Sequence, residues 1–165
     1  MEIEIKFRVN FDEIRKKIEA LGGYFSHFEE QEDIYFKVPR PKLLRVRAIH
    51  NLGEYYITYK EIKDERNEEF YEIEFKIDDF QKAVEMFKEL GYEIEAVIKK
   101  KRWIYKLGDV TFELNRVEKA GDFLDIEVIA KDPKKAKRKI WEVAKKLGLK
   151  EEDVEPRLYI ELINE

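Results

Sequence analysis

The chain has 165 residues, with 33 Lys or Arg against 37 Asp or Glu for a net charge of −4, and at roughly 100–200 residues per domain it reads as a single domain over 1–165. With 44% hydrophobic and 42% charged residues a core is available and disorder is excluded; no apolar run approaches the roughly 18–20 residues of a bilayer span and Met1-Glu2-Ile3-Glu4 is no signal peptide, so a cytoplasmic protein without a membrane partner is expected. The absence of Cys excludes disulfides and thiolate sites, while Ser26 as the only serine and His27 and His50 as the only histidines argue against Ser-His-Asp and His-rich zinc chemistry.

In chain order, Glu2-Ile-Glu4-Ile-Lys6 alternates as a strand and leads into a helix with Ile14, Ile18 and Leu21 on one face, stopped at Gly22. Period-two alternation predicts strands near 33–38, 43–49 and 55–60, the last two joined by the turn Asn51-Leu52-Gly53. Glu72-Ile-Glu74-Phe-Lys76 repeats the opening pattern and precedes a helix that starts at Asp79, carries Phe80, Ala83, Val84 and Phe87, and stops at Gly91. Strands near 93–106 and 110–117 flank the turn Gly108-Asp109. Asp125-Ile-Glu127-Val then gives a third acidic strand, followed by a helix that starts at Asp132-Pro133, carries Ala136, Ile140, Val143 and Ala144, and ends at Gly148. A last strand is expected near 157–163. About nine strands and three helices predict an α+β fold around an antiparallel sheet.

One face of the strands is apolar, as in Ile3, Ile5 and Phe7 or Phe112 and Leu114, and the other is charged. Side chains two apart share a face, so neighbouring strands would merge these charges into one surface opposite the helices. Two geometries satisfy the pattern: an open sheet with a solvated charged face, and a barrel with a charged lumen, which also removes unpaired edges. Acids dominate some strands and bases others. Arg45, Arg47, Lys60, Lys100, Arg102 and Arg157 would neutralise phosphate, and carboxylates facing the same space would repel that phosphate unless Mg²⁺ or Mn²⁺ lay between them. An acidic chain with Glu on its polar face does not suit nucleic acid. Lys134 to Lys139 reads as a solvated helix face. In Lys99-Lys100-Lys101-Arg102, opposition to Trp103 and Tyr105 sends Lys100 and Arg102 to the charged side. His27 and His50 read as ordinary surface or packing residues, and Glu113 and Tyr159 fall in the charged row. Many Glu and Lys, few Asn and Gln and no Cys suit a thermophilic protein.

Glu2-x-Glu4-x-Lys6 resembles the ExExK strand of the CYTH superfamily, the triphosphate tunnel metalloenzymes, which include class IV adenylyl cyclases, thiamine triphosphatases and inorganic triphosphatases. It is followed in order by Gln31-x-Asp33-x-Tyr35-Phe36, Leu44-Arg45-Val46-Arg47, Tyr59-Lys60, Glu72-x-Glu74, Lys100-x-Arg102, Gly121-x-Phe123-Leu124-Asp125-Ile126-Glu127 and Tyr159-Ile160-Glu161-Leu162. The first of these and the Tyr-x-Glu-Leu ending look most like the class IV cyclase group. The resemblance implies a closed eight-stranded antiparallel tunnel with Glu2, Glu4, Asp125 and Glu127 on Mg²⁺ or Mn²⁺. Lys6, Arg45, Arg47, Lys60, Lys100, Arg102 and Arg157 would hold the triphosphate, with Lys6, Lys60 and Arg102 acting in catalysis. Glu72, Glu74, Glu113 and Asn115 would be second-metal or network residues. It also implies a triphosphate partner, whether ATP, thiamine triphosphate or tripolyphosphate, and a monomer or homodimer. The chain departs from the family at Asn115, where many members carry Asp, and in a short 37–43 connection. Both alter the nucleoside end and leave the phosphate grip intact. Triphosphate hydrolysis is therefore placed first, conversion of ATP to cyclic AMP and pyrophosphate second, and a non-enzymatic polyphosphate- or nucleotide-binding module third.

Overall fold

The computed structural model describes residues 1–164. Eight strands, β1 (Glu2–Arg8), β2 (Tyr24–Phe36), β3 (Lys42–Ile49), β4 (Glu54–Ile62), β5 (Glu69–Ile77), β6 (Ile94–Leu107), β7 (Val110–Val117) and β8 (Gly121–Ile129), close in the order β1-β5-β4-β3-β2-β6-β7-β8. Every pairing is antiparallel. The barrel with a charged lumen is thus the geometry adopted, and closure is carried by β8 against β1, in register from Glu2 opposite Ile129 to Arg8 opposite Phe123. The β1–β5 seam is short, with Glu2 opposite Phe70 and Ile3 opposite Glu69.

The three strand–helix repeats each form as the local pattern predicts. Helix α1 (Phe11–Ala20) follows β1, α2 (Phe80–Glu89) follows β5, and α3 (Pro133–Lys146) follows β8. Asn10, Asp79 and Asp132 cap them by accepting the backbone N–H of Glu13, Lys82 and Lys134, which satisfies donors the helices leave unpaired. Beyond α1 the chain turns through Gly22 at φ +104, a left-handed conformation that a Cβ would strain. Ile14 and Ile18 of α1 and Ile140 and Ala144 of α3 pack on Ile3, Ile5, Phe112 and Ile126, the outward apolar row of the barrel. A smaller cluster sets Ala83 and Val84 of α2 on Ile34, Phe36 and Val46. No described helix is long and apolar enough to cross a membrane.

Three local expectations are corrected. The segment at 157–163 is no strand but carries a short helix, α4 (Tyr159–Leu162): β8 and β1 already close the barrel, so no edge remains for it to pair, and Ile160 and Leu162 are instead buried against Leu43, Ala96 and Ile98. Strand β2 begins at Tyr24, well before 33, because its first half pairs with the long β6 across an irregularity between Phe25 and His27; the run Glu29-Glu30-Gln31-Glu32 hides the alternation there. The helices also leave part of the outer face bare. Tyr71, Ile73 and Phe75 of β5 are 47%, 48% and 53% exposed.

Candidate active site: a charged tunnel

The barrel encloses a cavity of about 230 Å³. Its wall is divided by strand. β1, β5, β7 and β8 contribute Glu2, Glu4, Glu72, Glu74, Glu113, Asp125 and Glu127; β3, β4 and β6 contribute Arg45, Arg47, Lys60, Lys100 and Arg102. Given the strand order, acids occupy one arc of the barrel and most of the cations the opposite arc. Lys6, on the acidic arc, also lines the cavity. Lys100 and Arg102 are buried and Lys99 and Lys101 exposed, the alternation expected of that strand.

Register explains the pairings. Lys60 lies opposite Glu72 on β5 and bridges Glu2 at 3.1 Å and Glu72 at 3.4 Å. Arg45 lies opposite Thr58 and donates to its hydroxyl and to Glu74, both at 3.0 Å. Arg102 lies opposite Asn115, donating to its Oδ1 at 2.8 Å and to Glu113 at 3.1 Å. Lys6 is opposite Asp125 and Glu4 opposite Glu127. These are cross-strand neighbours that alternation places on one face but cannot match to one another.

Carboxylate oxygens of Glu2, Glu4 and Glu127 lie within 4.8 Å of one another, as do those of Glu4, Glu113 and Asp125, so Glu4 belongs to both groups. Burial, then the charges of Asp125 and its other acidic neighbours, pushes Glu4 well above the usual carboxylate range against the pull of Lys60. Burial followed by Glu113, Glu2 and Glu4 pushes Glu127 up to about 10. For Glu2 burial acts the same way, but Lys60, a hydrogen bond with Glu72 and the charge of Arg45 together outweigh it and hold this carboxyl at about 2. The protein's own cations therefore do not neutralise the cluster. Asp125 Oδ1 is buried with no hydrogen-bond partner among the described residues, and so is Arg45 Nε on the cationic arc. Hard carboxylate oxygens at this spacing, with one of them orphaned, fit Mg²⁺ or Mn²⁺.

The raised Glu127 makes a testable contribution to stability. A folded-state pKa of about 10 against 4.5 means the native state holds a proton that the unfolded chain releases. That contribution is complete below the ordinary carboxylate range and is lost as pH climbs toward 10. In chelator, the melting temperature should fall between about pH 5 and pH 9, and Glu127→Gln should flatten the fall. Equal slopes for both proteins in a thermal-melt series across pH would refute this origin.

Two predicted residues lie outside the cavity wall. Arg157 is exposed, and its guanidinium is paired with Glu155 at 2.8 Å; its backbone carbonyl accepts from Lys6 Nζ. The expected alternation fails here because the segment is no strand, so Arg157 is not brought to the cations that line the cavity. Asn115 is fully buried behind the wall, where its amide donates to Asp125 at 2.9 Å and to the Tyr159 hydroxyl at 3.1 Å. Tyr159 reaches the lumen from α4 and donates to Asp125 at 2.9 Å. His27 and His50 bond Glu29 and Glu32 away from the cavity wall. Sequence reasoning assigned no site role to Asp33, Tyr35 or Thr58. Their inward parity was readable, but their partners on neighbouring strands were not.

Residues 1–159 match the CYTH domain. The chain is 33% identical to "Putative adenylate cyclase MJ0240" of Methanocaldococcus jannaschii over 97% of this chain and 98% of that protein. It is 27% identical to adenylate cyclase CyaB of Aeromonas hydrophila over 96% and 86%. The solved structure of the PH1012 protein of Pyrococcus horikoshii superposes with a TM-score of 0.98 at 68% identity, covering 99% of this chain and 100% of that one.

Proposed function

Because the chain belongs to the CYTH family, whose members are enzymes, we propose that it hydrolyses an inorganic or organic triphosphate inside the tunnel with the help of Mg²⁺ or Mn²⁺. The observation that carries this reading is the division of one small cavity into facing acidic and cationic arcs, each with a buried polar atom lacking a hydrogen-bond partner among the described residues. Glu2, Glu4, Asp125 and Glu127 would hold the ion, with Glu113 close enough to join them and Glu72 and Glu74 keeping Lys60 and Arg45 in place. When bound, the ion supplies positive charge and Lewis acidity toward phosphate oxygens. Arg45, Arg47, Lys60, Lys100 and Arg102 grip the polyphosphate. Lys6, Lys60 and Arg102 are assigned to the charge that develops on the transferred phosphoryl group, where prearranged cations in a poorly hydrated site act most strongly.

A second reading, formation of cyclic AMP and pyrophosphate from ATP, is favoured by the names of the two curated relatives. Asn115 weighs against it. Its amide is engaged with Arg102, Asp125 and Tyr159, and a neutral amide does not take the proton of an attacking hydroxyl.

The two reactions differ in the attacking oxygen, so 3′-deoxy-ATP separates them. A triphosphatase draws its nucleophile from water and should release phosphate from 3′-deoxy-ATP and from tripolyphosphate, assayed with metal at elevated temperature. Loss of turnover on the deoxy substrate, with cyclic AMP formed from ATP, would reverse the ranking. Tight binding of every substrate with no product would return the protein to a polyphosphate-binding module.

A further inference from the structure

Asp33 is an acid of the barrel that the proposed chemistry leaves without a task. It is 0% exposed and does not line the cavity, so its carboxylate lies behind the cations that do. Its strand, β2, lies between β3 and β6, the strands that carry Arg47 and Lys100. Asp33 is directly opposite Arg47, and Lys100 is opposite Gln31, two residues along. Side chains with this parity share the inward face, and diagonal neighbours remain within reach of a long one.

The carboxylate reaches both strands at once. Arg47 Nε donates to Oδ1 at 2.7 Å and its Nη2 to Oδ2 at 2.8 Å, a bidentate fork. Lys100 Nζ donates to Oδ2 at 2.6 Å. These bonds take only part of the donors that a guanidinium and an ammonium offer, and the remainder are left for other acceptors. Both cations line the cavity. Their charge balance also differs from that of their neighbours: Arg45 has Glu74, Arg102 has Glu113 and Lys60 has Glu2 and Glu72, whereas Arg47 and Lys100 share the single Asp33. Among the described residues the pair thus has one carboxylate for two basic groups, and burial with the charges of Arg47 and Arg102 pulls Lys100 down to about 7 against the hold of Asp33. Ordering two long side chains is costly when it happens on binding and is already complete when it happens on folding.

We propose that Asp33 is a positioning residue, a clamp that holds Arg47 and Lys100 from two different strands as one preset phosphate-receiving pair. This rests on the reading of the tunnel as a triphosphate site and names the residue that organises its cationic arc. Stability alone is a poor reason for such a cluster, since buried ion pairs are often replaceable by apolar groups without loss.

The test uses the whole chain and two readouts. In ligand-free, ¹⁵N-labelled protein, the Arg47 Nε–H signal should be resolved and slow to exchange in the wild type and averaged with solvent in Asp33→Asn. By calorimetry with Mg²⁺, Asp33→Asn should weaken tripolyphosphate binding by about tenfold or more, the scale of a lost charge-assisted bond. The loss should shrink in an Arg47→Lys background, where the fork is already broken, a non-additivity expected of residues acting as one unit. Should Asp33→Asn fail to fold, Arg47→Lys carries the test alone: it keeps the charge, loses the fork, and should weaken binding by a similar factor. Wild-type affinity in Asp33→Asn, or in Arg47→Lys, overturns the clamp. Absence of tripolyphosphate binding by the wild type overturns the triphosphate reading and the phosphate role of the clamp with it, while the Arg47 signal separately reports whether Asp33 orders that side chain.

Discussion

Chelation of divalent metal is expected to abolish turnover, and Mg²⁺ or Mn²⁺, but not monovalent salt, to restore it. The expectation rests on charge. A triphosphate entering the cavity meets Arg45, Arg47, Lys60, Lys100 and Arg102, but it also faces Glu2, Glu4, Glu113, Asp125 and Glu127 across a narrow space. Like charges at such distances in poorly screened surroundings repel by several kcal/mol, of the order of the attraction on the other side. Burial and mutual repulsion already hold Glu4 and Glu127 above the usual carboxylate range, so the acids are poised to exchange protons for a cation. Monovalent ions screen from outside and do not gather several carboxylates at one point. Turnover assays after chelation and dialysis, followed by titration of each ion, check this. Full activity in chelator would remove metal from the reading.

Glu4→Gln should lower turnover by at least about a hundredfold, the scale on which active-site electrostatic groups act. Glu4 is the position of choice because it alone belongs to both carboxylate groups, one with Glu2 and Glu127 and the other with Glu113 and Asp125. Gln keeps the size and an amide oxygen but removes the charge and turns two N–H donors toward the ion's place. The fold should survive, because burial and its acidic neighbours already hold Glu4 toward its neutral form, which Gln matches in size and charge, and the metal-free variant should melt no lower than the wild type at neutral pH. Near-normal turnover in Glu4→Gln, with the fold intact, would mean that Glu4 is only part of a charged lining. A collapse in melting temperature would mean that its charge supports the barrel.

Much of the molecule is legible one element at a time. Ile3, Ile5 and Phe7 alternate with Glu2, Glu4 and Lys6, and strand geometry sends the two sets to opposite faces whatever lies beside them. Asp79, Asp132 and Gly22 mark helix ends because capping and left-handed turns involve only the nearest few residues. The ordered motifs from Glu2-x-Glu4-x-Lys6 to Asp125-Ile126-Glu127 point to the CYTH family and so to a closed tunnel, where alternation alone admits an open sheet equally well.

What local chemistry leaves open is which charge meets which. Lys100 and Asp33 are far apart in the chain, as are Lys6 and Asp125, and they become neighbours only through the pairing of β6 with β2 and of β1 with β8. Registry of that kind is set by the packing of the whole apolar outer row, since a slip of one residue would turn the lumen outward. The same dependence moves Arg157 out of the cavity wall: Leu158, Ile160 and Leu162 alternate like a strand, yet with β8 bonded to β1 there is no free edge to accept them, and the segment coils over Leu43 and Ile98 instead. Alternation specifies a face at each position; closure of the barrel, a property of residues distant in sequence, specifies the partner.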